Sequence, residues 1–188
     1  MSSQTTDGPP RAALIAALII AVGAVVAVIV TVAVLQRSPT QQPVAITALP
    51  APQARGPECA ALLEVLPDEL GDYRRAPVLE PAPPGTAAWR PEHGGEALIL
   101  RCGLDRPAEF VTGAPVQVVD AVQWFRVQDT AEAPDSRSTW FAVDRPVYVA
   151  LTLPAESGPT PIQVLSQSIT DSLATRPPDP APVAVPPR

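Results

Sequence analysis

The stretch AALIAALIIAVGAVVAVIVTVAVL, Ala12–Leu35, runs twenty-four residues without a charged side chain. As a helix it measures about 36 Å at 1.5 Å per residue, against a hydrocarbon core of about 30 Å. It is apolar on every side, and its weak points, Gly23 and Thr31, are ones a helix satisfies. The rival reading is a secretory signal peptide, whose apolar region is about 7–15 residues and ends at a small-residue cleavage site. The run here is longer, and Gln36-Arg37-Ser38-Pro39 makes a poor cleavage site. A lipoprotein signal needs a Cys directly after the run, and the first is Cys59. The expectation is an uncleaved single-pass anchor in the plasma membrane, with residues 1–11 as a short cytoplasmic tail. Flanking charge does not orient it, since Arg11 lies before the span and Arg37 and Arg55 after it. Ala13, Ala17 and Ala21 form a small-xxx-small row of the helix-packing kind, which an Ala-rich segment also produces by chance.

Outward from the span, residues 36–57 read as a linker punctuated by Pro39, Pro43, Pro50, Pro52 and Pro57. Such composition favours an extended spacer of about 3 Å per residue, reaching roughly 60 Å. Residues 58–175 read as one small extracytoplasmic domain, and residues 176–188, rich in Pro and Ala, as a disordered tail. The domain carries seventeen acidic residues against eight arginines. That balance argues against nucleic acid and anionic headgroups as direct partners, and it also serves solubility.

Within the domain, Cys59, Leu62, Leu63, Leu66 and Leu70 recur with helical spacing, and Pro67 ends the helix near Leu66. Tyr73–Leu79 is a short strand, Glu80–Gly85 a Pro-rich loop and Arg90–Gly95 a turn. In Glu96–Cys102, Leu98, Leu100 and Cys102 share one strand face, with Ile99 and Arg101 on the other. Gly103–Ala114 is a loop anchored by Phe110. Pro115–Val119 and Val122–Gln128 are strands around Asp120-Ala121, and 130–135 is polar and loop-like. Ser138–Val143 and Val147–Leu153 form a hairpin connected by Asp144-Arg145-Pro146. A final helix starts at Thr160, with Pro161 at its first position and Thr160–Gln163 as a capping box; Ile162, Leu165, Ile169 and Leu173 form its buried stripe. Helices at both ends with strands between give an α+β domain: an antiparallel sheet packed by two helices.

Cys59 lies on the helical stripe and Cys102 on the apolar strand face, so a shared core brings both sulfurs into one layer. A disulfide there closes a long loop and requires an oxidising compartment, which places the domain outside the cytoplasm. Two buried free thiols are the alternative.

The order Cys59-Ala-Ala-Leu62-Leu63, Leu66-Pro67, Ala87-Ala88-Trp89, Leu100-Arg101-Cys102-Gly103, Val122-Gln123-Trp124 and Arg145-Pro146-Val147-Tyr148-Val149 resembles an uncharacterised actinobacterial family of membrane-anchored, exported proteins. The resemblance runs from about Pro57 to Thr175. It implies an envelope location and favours the disulfide, and it supplies no activity, substrate or catalytic residues. Family members carry a turn-forming pair where this chain has Asp120-Ala121, and Ala is a weak turn residue, which argues against a tight hairpin there.

No catalytic set, cofactor site or metal site emerges. His93, the one histidine, sits in a turn without a Gly-x-Ser-x-Gly elbow, and with Glu92 and Glu96 it falls short of the three or four ligands of a zinc site. The absence of lysine removes Schiff-base chemistry and the P-loop. Asp105, Glu109 and Asp120 are the carboxylates to inspect for a glycosidase pair. Among Trp89, Trp124 and Trp140, core packing is the bland reading; Trp89, between a Pro-rich loop and a turn, is the candidate partner-binding residue. The leading expectation is a binding or accessory module for envelope proteins, without enzymatic activity. The alternatives are an envelope glycan-acting enzyme using paired carboxylates and a plain structural spacer.

Overall fold

The computed structural model describes residues 11–36, 42–128 and 137–183, with side chains of the first segment described for 14–31. The chain divides into two compact units at Gln41 and Gln42. In the first, helix α1 (Arg11–Gln36) contains an apolar stretch, Leu14–Thr31, long enough to cross a membrane. Its one hydroxyl is satisfied within the helix, Thr31 Oγ1 donating to the Ala27 carbonyl at 2.7 Å.

The second unit is built on a β-sheet. Strands β1 (Glu69–Leu70), β2 (Tyr73–Ala76), β3 (Thr86–Pro91), β4 (Leu98–Leu104), β5 (Val116–Val119), β6 (Val122–Gln128), β7 (Ser138–Ala142) and β8 (Tyr148–Leu153) form one antiparallel sheet. The order is β1-β2-β3-β4-β8-β7-β6-β5, two four-stranded meanders joined where β4 pairs with β8. Helices α2 (Pro57–Val65) and α3 (Thr160–Ser172) cover one face. Between them and the sheet lie Leu62, Leu98, Leu100, Trp124, Val149, Leu151, Leu165 and Ile169, all fully buried. This is the α+β architecture expected, and the β7–β8 hairpin forms as read.

Cys59 of α2 and Cys102 of β4 are joined in a disulfide, with Cα atoms 5.7 Å apart. The periodicity argument holds: both residues belong to the layer between helices and sheet.

Four readings are corrected. The compact unit starts at Gln42, so residues 42–57 are not a free linker. Val44 and Ile46 are buried against Ala76, Ala88 and Ile99 on the sheet's other face, and Val44 bridges Val78 in parallel. Residues 37–41 of that expected linker lie outside the described residues. The tail is held as far as Ala181, which exchanges backbone hydrogen bonds with Phe110 and Thr112, while Asp179 receives Arg106. Residues 86–91, where the expected turn covers only 90 and 91 and no element is expected for 86–89, are strand β3, because Ala88 and Trp89 pair with both β2 and β4. The capping box does not form: the α3 N-cap is Pro159, and no side chain caps it.

Candidate functional site

Trp89 is fully buried, its Nε1 donating to the Pro67 carbonyl at 3.0 Å and the Arg75 guanidinium lying 4.8 Å from its ring. Core packing takes it out of reach of a partner, correcting the expectation that it is a surface residue. Trp124 is buried too and donates to Ser166 Oγ of α3. The tryptophan left partly open is Trp140.

The reason lies in where α3 sits. It packs over Trp124, while the segment Pro154–Pro159, with a 3₁₀ turn at Ala155–Ser157, carries the chain from β8 to the helix. A groove of about 290 Å³ remains beside that segment. Gln117, Val119, Trp140, Gly158, Ile162 and Gln163 line it, along with Arg126. Arg126 and Trp140 are directly opposed on β6 and β7, and the guanidinium stands 5.4 Å from the ring. Trp140 Nε1 donates to Ser138 Oγ at 3.0 Å. An amphipathic ring, a cation and two amides beside apolar walls suit a peptide-like ligand.

One wall of this groove is β5, the outermost strand on its side of the sheet. Gln117 and Val119 point into the groove; Val116 and Val118 lie on the opposite sheet face, Val118 being 69% exposed. Natural sheets protect such edges with charges, prolines or covering segments. This strand has no charge in its four residues.

The β5–β6 hairpin forms despite Ala121. Asp120 takes the left-handed conformation at φ 50°, and Arg145 Nη2 donates to the Ala121 carbonyl at 2.9 Å. Arg145 is itself buried and paired with Asp144 at 2.9 Å. Sequence reasoning missed this pair, taking Asp144-Arg145-Pro146 only for the connection of the hairpin. The available signal was the run Arg145-Pro146-Val147-Tyr148-Val149 itself, in which a charge directly precedes a core strand.

The other expected residues are not brought together. Asp105 and Glu109 are exposed in the β4–β5 loop, and Asp120 is in the hairpin turn. His93 lines an open groove of about 410 Å³ with Glu69, Asp72, Arg74 and Glu92. There Arg74 bridges the two glutamates, 3.5 Å from Glu69 and 2.6 Å from Glu92. Among the described residues no group of His, Cys, Asp and Glu is arranged to hold a metal ion.

The open sheet face carries one more uncommon feature. Arg101 of β4 is half-buried, pairs across β4–β8 with Ala150, and its buried Nε has no hydrogen-bond partner. Burial, and then the nearby Arg137, lower its pKa from the usual guanidinium value.

Apolar helix, disulfide-linked α2 and β4, and an eight-stranded antiparallel sheet with an uncharged edge strand define an α+β protein with a candidate membrane span. The chain belongs to the family described as "Protein of unknown function (DUF3515)", which it matches over residues 18–178. No curated protein and no solved structure matches it.

Proposed function

We propose that this chain is a single-pass cell-envelope protein, anchored in the plasma membrane by α1, whose extracytoplasmic domain is a binding or accessory module for envelope proteins. The observation that carries this reading is the uncharged β5 edge beside the Trp140 groove. An extended segment of a partner adds a strand to β5 through main-chain hydrogen bonds, and its alternate side chains enter the groove. The disulfide supports the outward orientation, because such bonds persist in oxidising compartments.

A photocrosslinking amino acid placed at Val118 in cells tests the reading. The expected result is a reproducible adduct with an envelope protein, lost when Gln117→Pro disables the edge. Adducts that vary between replicates, or none, overturn it.

The second reading, an enzyme acting on envelope glycan, is favoured by the groove containing Glu69, Asp72 and Glu92. Its difficulty is that Arg74 already engages two of the three carboxylates. Turnover of a peptidoglycan fragment that disappears in Glu92→Gln would replace the binding reading with this one.

A further inference from the structure

The sheet face opposite α2 and α3 is covered at two places. At one side Val44 and Ile46 lie on Ala76, Ala88 and Ile99; at the other Phe110 packs on Phe125, the ring centroids 5.2 Å apart and the planes tilted by 45°. Between these covers two depressions, of about 230 and 120 Å³, share Leu49, Arg101 and Leu104 in their walls. The larger is also lined by Pro107, Val127, Phe141 and Ala150, and the smaller by Pro83 and Pro84. A guanidinium at the base of apolar walls, with a buried N–H unpaired, is a costly arrangement unless an anion completes it. Glu109 also lines the larger depression and forms no ion pair with Arg101.

We propose that this groove is a binding site for an acyl-chain carboxylate, its carboxylate on Arg101 and its chain along Leu104, Val127 and Phe141. The charge count selects the head group. Arg101 is the one cation lining the groove, and with the Glu109 carboxylate in the same lining it can hold no more than a monoanion; a phosphate dianion calls for more cations. The volume selects the body: the depressions fall at or below the roughly 300–1,000 Å³ of ordinary small-molecule sites, so the chain is short. Thr139 and Thr152 also line the larger depression, but their hydroxyls already bond each other at 3.0 Å, leaving Arg101 as the anchor. This site lies on the face away from the Trp140 groove and stands independently of it.

The test is photolabelling of the full chain in lipid nanodiscs with 4,4-azipentanoate, mapped by mass spectrometry. The expected label falls on Leu104, Val127 or Phe141, is displaced by hexanoate and not by hexanol, and drops about tenfold or more in Arg101→Gln. Equal displacement by hexanol, or no label in the groove, overturns the proposal. Stronger displacement by a dipeptide ending in a leucine carboxylate also overturns it, in favour of a peptide terminus. Should Arg101→Gln fail to fold, the comparison of hexanoate with hexanol on the unaltered chain decides alone.

Discussion

Arg145 donates to four groups: the Asp144 carboxylate, the Asp144 carbonyl, the Ala121 carbonyl and Thr170 Oγ1. Asp144 Oδ1 and Arg145 Nε remain buried without partners, so the pair is only partly satisfied. Removing one member leaves the other charge buried alone. Arg145→Met is therefore expected to cost about 3–5 kcal/mol, while Asp144→Leu with Arg145→Met costs less than that single change. Urea unfolding of the full chain in detergent, followed by tryptophan fluorescence, measures both. Tyr73 gives a pH signature. Burial first, then Glu156, Asp72 and Glu96, raise its pKa above the usual 10.0. The folded state thus holds the phenol proton more tightly than the unfolded one. Its contribution is complete below pH 10 and lost as pH rises through the folded value. Melting temperatures taken from pH 8 to 11 should fall at the alkaline end, and Tyr73→Phe should flatten that fall.

At the scale of elements, the Leu-Arg-Cys-Gly block shows how four adjacent residues serve four purposes. Leu100 fills the core, Arg101 faces the open groove, Cys102 links to α2, and Gly103 makes room for the incoming chain. Gly103 sits at φ +84° with the Ala54 backbone against it, and its carbonyl accepts from Gln53 N at 3.1 Å. Gly103→Ala strains the backbone and displaces that segment. A loss of about 1–3 kcal/mol is expected, with faster amide exchange at Gln53 and Ala54. What was legible in the sequence follows the same logic. Strands β4 and β8 were readable because Leu98, Leu100 and Cys102 in one, and Val149, Leu151 and Leu153 in the other, recur at every second position on the face that meets the helices. Strand β3 was not: Ala87 and Ala88 have little strand preference, and its identity comes from neighbours on both edges. The packed segment from Gln42 and the tail to Ala181 were hidden for another reason. Backbone hydrogen bonds and a few small side chains hold them, and neither leaves a periodic mark. The Trp140 groove was missed because exposure of a tryptophan depends on where α3 stops covering the sheet.

For the whole molecule, the Cys59–Cys102 bond is the one covalent tie across the helix–sheet layer. With the cysteines 43 positions apart, chain entropy assigns it about 4 kcal/mol. Cys59→Ser with Cys102→Ser is expected to lower the denaturant midpoint accordingly, and a reducing agent should do the same to the unaltered chain. That bond also fixes how the folded unit carries mechanical load. Tension applied through the N-terminal chain first strips the contacts of Val44 and Ala54, and then arrives at Cys59. From there it crosses the sulfurs directly to β4, the strand at the centre of the sheet. Everything between the two cysteines, α2 beyond Cys59 and β1 to β3 included, sits on a slack loop outside the path of force. Pulled from that end, the folded unit yields at its docked leader and then meets the sheet at a central strand.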